Sequence, residues 1–172
     1  HLQIGGSAEA NALAVLQAGF TTVVDLGATT DEVLRLRDRI AAGAAQGPRI
    51  LAAGLWTGTK DGVCEFGGIG LAGGPPAFRQ RVDDNVKAGA DVIKVCVSGW
   101  AADALDHPSA YEIADDALEA ATSEAHRLKR LVLAHAISLG AVKASLHARV
   151  DGLAHAAFLD AATAVEMKRQ DM

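Results

Sequence analysis

The sequence is short of several features that mark whole classes of protein, and each shortage excludes something. Two cysteines in 172 residues, Cys64 and Cys96, are too few for a disulfide scaffold, and Cys96 lies in an apolar strand-like run, so a reducing cytoplasm is the default expectation. Positive charge is not in excess: 16 Lys and Arg face 21 Asp and Glu, for a net charge of −5. With the two signs interspersed, there is no basic stripe for nucleic acid. Apolar runs reach only strand length, far short of the roughly 20 residues a bilayer requires, so no membrane span is expected. A G-x-G-x-x-G fingerprint is missing after the first strand-like run, which weakens a Rossmann reading. The chain opens at His1 with neither an initiator methionine nor a signal peptide, so any targeting segment is expected outside these residues.

Half of the residues are hydrophobic, enough at this length for one domain's core. Strand-sized apolar runs alternate with amphipathic stretches of helix length, the pattern of βα units. A helix is expected from Ser7, as N-cap, to Ala18, with Gly19 ending it. The β-branched run from Phe20 to Leu26 follows as a strand. Thr30 or Asp31 then caps a helix through Leu34, Leu36 and Ile40 towards Gly47, where Pro48 blocks continuation. Arg49 to Trp56 reads as the next strand, and the glycine-rich stretch from Thr57 to Pro76 as a long functional loop. A helix from Pro76 to Ala88 leads into the run Gly89 to Gly99. A second irregular loop, Gly99 to Ile113, precedes a helix from Asp115 to Lys129. Strands at Leu131 to Ala136 and Asp151 to Ala156, a short helix at Ala141 to Ala148 and a last helix from Asp160 complete the pattern.

Five strands separated by helices imply a parallel sheet with right-handed crossovers. A doubly wound open sheet and part of a (β/α)₈ barrel both satisfy this.

Chemistry concentrates in three strands. Gly89 to Gly99 carries one lysine, Lys94, in an otherwise apolar run, and a lone ammonium there is costly unless paired, neutralised or modified. His135 and His155 stand in the two later strands. By parity Lys94 shares a face with Val92, Cys96 and Ser98, His135 with Leu131 and Leu133, and His155 with Leu153. Each polar residue sits near the C-terminal end of its strand, where barrel active sites are built. Lysine, histidine and histidine on successive strands suggest a metal centre. Plainer readings stand beside this one. Lys94 suits a Schiff-base enzyme or an ion pair with Asp25, and each histidine suits a satisfied core position. Tyr111 is a candidate hydrogen-bond partner for substrate, or a packing residue of its loop. Trp56 and Trp100 are candidate pocket walls, Asp25 an ordering residue, and His107, His126 and His147 ordinary surface groups.

The ordered set "AGFTTVVDLG" at Ala18 to Gly27, "GADVIKVCVSG" at Gly89 to Gly99, "VLAHA" at Val132 to Ala136 and "VDGLAHAAFLD" at Val150 to Asp160 resembles the amidohydrolase superfamily. Within it, the likeness is to imidazolonepropionase-like and Xaa-Pro dipeptidase-like members. The resemblance implies an α/β fold, a (β/α)₈ TIM barrel of the metal-dependent hydrolase type, here about five βα units of one partial domain over residues 1–172. Strands seven and eight and a flanking β-sandwich would lie outside the chain. It further implies that Lys94 is carboxylated by CO2 and bridges two divalent metals, usually zinc, with His135 and His155 as ligands. His1 resembles the second histidine of an H-x-H-L motif and is a fourth candidate ligand. The implied reaction is hydrolysis of an amide, peptide-like or cyclic C–N bond in a small-molecule or dipeptide-like substrate by metal-activated water. The family's strand-eight aspartate, its general base, has no counterpart here, so a noncatalytic fragment is a further reading. Exposed parallel edges make a homo-oligomer the expected state.

Overall fold

The computed structural model describes residues 1–172. Five strands, β1 (Thr22–Asp25), β2 (Arg49–Ala52), β3 (Val92–Cys96), β4 (Leu131–Ala136) and β5 (Gly152–His155), alternate with helices α1 (Ala8–Gln17), α2 (Glu32–Ala41), α3 (Gly74–Lys87), α4 (Ala101–Asp106), α5 (Asp115–Arg127), α6 (Leu139–His147) and α7 (Ala161–Arg169). The start signals act as their chemistry requires: Ser7, Ser138 and Asp160 cap α1, α6 and α7, accepting the backbone N–H groups of Ala10, Ala141 and Thr163.

All strand pairs are parallel. β1 pairs with β2 from Thr22 opposite Arg49, β3 with β4 from Val92 opposite Leu131, and β4 with β5 from Leu133 opposite Gly152. The two sheets are joined by one bridge, at which Thr57 donates to the Lys94 carbonyl and accepts from the Cys96 N–H at 3.0 and 2.9 Å. The strands therefore lie in chain order, an α/β arrangement with parallel strands and helices on one side.

Alternation along the strands separates two environments. Ile93, Val95, Val97, Val132, Ala134 and Ala136 turn towards the helices and join Phe78, Val82, Leu118 and Ala121 in the main core. Lys94, Cys96 and His135 take the opposite face. The alanines of α5, buried at Ala117, Ala120, Ala121 and Ala125, let this helix lie close to α3 and the sheet.

Three expectations are corrected. The strand expected over Arg49 to Trp56 ends at Ala52: the chain leaves the ladder through Gly54, at φ +72°, and rejoins it at Leu55 and Thr57 as isolated bridges. The loop Gly99 to Ile113 contains the short helix α4, where Asp103 accepts the Trp100 N–H at 2.8 Å. The cysteines, expected as reduced thiols, form a disulfide between Cys64 in the long loop and Cys96 on β3. Such bonds are rare in reducing compartments.

Candidate active site at the strand ends

A cavity of about 470 Å³ opens at the C-terminal ends of the strands, lined by Lys94, His135, His155, His1, Trp56, Phe66, Trp100, Cys64 and Cys96 among others. It thus collects four of the five candidate residues and both tryptophans.

Lys94 is 3% exposed and its ammonium has no acidic partner, so burial alone lowers it from 10.5 to about 8. The ion pair with Asp25 does not form. Asp25 instead accepts backbone N–H groups from Leu2 and Gly27, at 2.6 and 3.0 Å. A lysine in this condition releases its proton more readily than an exposed one, so a larger share of neutral amine is present near physiological pH.

His135 and His155 stack edge to face with ring centroids 4.9 Å apart. Burial lowers His135 to about 4, against the opposing pull of the Gly99 carbonyl, and the charges at Lys94 and His155 add to the fall. Burial and Lys94 lower His155 as well. His135 is therefore neutral at pH 7. Its Nε2 lies 3.2 Å from the Gly99 carbonyl oxygen, which can only accept, so Nε2 carries the hydrogen and Nδ1 keeps its lone pair. His1 makes the matching contact with its other nitrogen: Nδ1 lies 2.6 Å from the Gly27 carbonyl oxygen, which can only accept, so Nδ1 carries a hydrogen.

His155 enters the cavity in a way alternation does not give. Its parity mate Leu153 packs on the helix-side core, so a regular strand would send the imidazole there too. The backbone at His155 and Ala156 instead adopts φ of +79° and +48°. Left-handed geometry at two non-glycine residues is uncommon and concentrates at functional sites. Here it ends the strand and turns the ring beside His135.

The other candidates lie elsewhere. Tyr111 is exposed, and its hydroxyl donates to Asp115 at 2.9 Å, outside the cavity. His126 meets Asp151 at 2.9 Å, His147 meets Glu119 at 3.4 Å, and His107 caps α4.

The composition of the site bears on metal binding. Neutral imidazoles with one nitrogen held by a backbone carbonyl and the other free are the usual condition of histidine ligands. No three His, Cys, Asp or Glu side chains converge on one point, so a metal here would need a donor beyond these side chains. His135, neutral and with Nδ1 free, is in the state of a zinc-type ligand.

Several residues that shape the site carry faint sequence signals. Arg81 donates to the Trp56 and Ile69 carbonyls at 2.6 and 2.9 Å and so fastens both ends of the long loop. Asn85 pairs with both backbone groups of Leu55. Asn85 falls three residues after Val82 and seven after Phe78, so a polar residue in a buried helical stripe was its visible signal. Glu112, which accepts the Val63 N–H at 2.7 Å, and Phe66 had none.

The pattern of the Amidohydrolase family matches residues 6–170. An Aspergillus niger ochratoxinase is 29% identical over 101 residues, 59% of this chain and 21% of that protein. Among solved structures, a Xaa-Pro dipeptidase with methionine bound in its active site is 28% identical with a TM-score of 0.85, covering 95% of this chain and 43% of that one. A prolidase from Bifidobacterium longum, described as putative, is 32% identical with a TM-score of 0.79, over 94% of this chain and 39% of that one. The chain thus spans less than half the length of these relatives. A family match across nearly its whole length, over a fold shared with hydrolases, carries one conclusion: the chain belongs to the amidohydrolase family.

Proposed function

We propose that the protein is a metal-dependent hydrolase of amide, peptide-like or cyclic C–N bonds. Its centre would be built on Lys94, His135 and His155, with His1 as a fourth donor. In this reading residues 1–172 form about five units of a (β/α)₈ barrel domain, whose closing strands and flanking β-sandwich come from sequence outside this range. The observation that carries the reading is a buried lysine without an anionic partner, facing the same cavity as three histidines.

Lys94 suits carboxylation: the ammonium gives up one proton, the neutral nitrogen then bonds to the carbon of CO2 with release of a second, and an anionic pair of oxygen donors replaces a buried cation. Two divalent ions, zinc by donor type, would supply an activated water and polarise the substrate carbonyl. The chain's own part is to hold His135 neutral with Nδ1 free, and to line the cavity with the apolar rings of Trp56, Phe66 and Trp100. Those walls favour a small amide or dipeptide-like substrate with an apolar group. The edges of β1 and β5, each paired on one side only, favour a homo-oligomer wherever no further strand covers them. No helix is long and apolar enough to cross a membrane. Residence in the cytoplasm requires the Cys64–Cys96 bond to be shielded from cellular thiols, which alkylation in intact cells measures.

Native mass spectrometry of the complete protein tests the reading. Two zinc-mass ions and a carboxylated lysine are expected in the wild type and are lost in Lys94→Ala. Unchanged metal content in the variant would exclude the carbamate role. The lowered ammonium also suits a Schiff-base enzyme, which borohydride would trap as a reduced adduct on Lys94. An intact, metal-free protein inactive on amides would instead indicate a noncatalytic remnant.

A further inference from the structure

The proposed centre uses the imidazole of His1, and the structure surrounds that residue with a bracket to which no chemistry has been assigned. Asp25, at the C-terminal end of β1, is 1% exposed. A carboxylate so deeply buried demands strong partners, yet no cationic side chain reaches it. Its oxygens instead take backbone N–H groups from two separate segments: Oδ2 accepts from Leu2 at 2.6 Å, and Oδ1 accepts from Gly27 at 3.0 Å. The His1 backbone nitrogen lies 3.5 Å from Oδ2.

The turn that Asp25 opens then holds the imidazole itself. Gly27 offers its carbonyl to His1 Nδ1 at 2.6 Å. The preceding carbonyl, Leu26, accepts from the indole N–H of Trp56 at 2.9 Å. That indole stands edge-on to the His1 ring with centroids 5.5 Å apart. The turn is tight because Gly27 sits at φ +81° with the Gly54 carbonyl oxygen 2.5 Å from where a Cβ would stand. Any side chain there would push the strand ends apart.

We infer that Asp25 is a positioning residue for His1: its carboxylate ties the Leu2 backbone to the Gly27 turn, so that the Gly27 carbonyl takes the Nδ1 hydrogen and the Nε2 lone pair faces the cavity. The carboxylate acts on the imidazole at one remove, through a backbone carbonyl, and touches no reacting atom. Carboxylates and carbonyls behind histidine ligands fix the ring's tautomer and direction, and losing them weakens metal binding by roughly 10- to 100-fold. The assignment to a metal centre rests on the proposed function; the hold on the tautomer does not.

The test uses the complete protein in three forms: wild type, Asp25→Asn and His1→Ala. Nitrogen-15 NMR of the metal-free wild type should show His1 with hydrogen on Nδ1, and the Nε2-protonated form there would overturn the inference without any variant. In Asp25→Asn the side-chain shape is kept, but one backbone N–H now meets an amide donor. A mixed or reversed His1 tautomer is expected, with zinc affinity, measured against a chromophoric chelator, about 10- to 100-fold weaker. A tautomer and affinity equal to wild type would overturn the positioning role. His1→Ala separates the two readings. Zinc affinity undiminished in His1→Ala removes His1 from the proposed centre, while the tautomer change in Asp25→Asn still stands as evidence for the bracket.

Discussion

Replacing Lys94 with methionine should make the metal-free protein more stable. The ammonium sits 3% exposed with no acidic partner, and burial lowers it from 10.5 to about 8. At ~1.4 kcal/mol per pH unit, that displacement is about 3 kcal/mol of cost for keeping the charge inside the fold. Below pH 8 both folded and unfolded chains hold the proton, and the full cost is present. Between about 8 and 10.5 the folded amine has released its proton while the unfolded one has not, so stability climbs with pH. Above that window both forms are neutral and the cost is gone. Methionine is unbranched, apolar and adaptable, and fills a similar volume without a charge to desolvate. Lys94→Met should therefore unfold with a free energy higher by about 2–3 kcal/mol at neutral pH and lack the climb towards pH 10.5. Denaturant titrations at a series of pH values measure both. Zinc with bicarbonate should narrow the gap by stabilising the wild type alone, because only the lysine can be carboxylated. A variant no more stable than wild type, with the same pH profile, would refute the premise that Lys94 is an uncompensated buried cation.

The remaining predictions concern the framework around the cavity. Converting Cys64 and Cys96 together to alanine opens a clamp between residues 32 apart in sequence, and the chain-entropy argument gives a loss of about 3–4 kcal/mol, read from denaturation midpoints. Full alkylation of both cysteines in folded, unreduced protein would show that the bond is not formed. Gly140→Ala would place a methyl 2.0 Å from the Ser109 carbonyl oxygen, so a loss of at least ~2 kcal/mol is expected from overpacking, with the shift in Tm as the readout. Burial raises the Glu112 carboxyl, opposed by the Val63 N–H and aided by Asp103. The folded state then holds this proton more tightly than the unfolded, and stability falls as pH rises from 4.5 through the raised value. Glu112→Gln should flatten that part of the profile while leaving neutral-pH stability equal or higher; a profile parallel to wild type would exclude the effect.

How far the sequence discloses the architecture depends on which interactions build each part. α1, α6 and α7 begin beside Ser7, Ser138 and Asp160 because capping is a contact between residues three apart, visible in any window of sequence. β3 and β4 were equally plain, since unbroken apolar runs have few alternatives to a buried parallel strand. Features made by distant pairs were hidden. Nothing local marks Cys64 as the partner of Cys96, because their meeting depends on the path of a glycine-rich loop that Arg81 fastens from α3. Likewise α4 is a six-residue turn stabilised by one side-chain contact, Asp103 to the Trp100 N–H, within a stretch that has no periodicity.

The candidate site divides along the same line, and His155 shows why. Its motif and its place at a strand end marked it out, yet the alternation that puts Lys94 and His135 on the cavity face puts His155, with Leu153, on the other. Only the left-handed backbone at His155 and Ala156 brings it round. Both residues carry a Cβ, so that conformation costs of order 1–3 kcal/mol at each and persists only where surrounding structure enforces it. The enforcement is visible: Ala156 N–H donates to the Ala136 carbonyl at 3.0 Å, and Phe158 N–H to the Ile137 carbonyl at 3.3 Å, so the chain after β5 is held to the chain after β4. A lone core histidine would gain nothing from such a turn, since the regular strand already offers it a buried face. A histidine that must meet His135 across a cavity does gain from it, and the strain at His155 is therefore itself an argument that this ring belongs to a site.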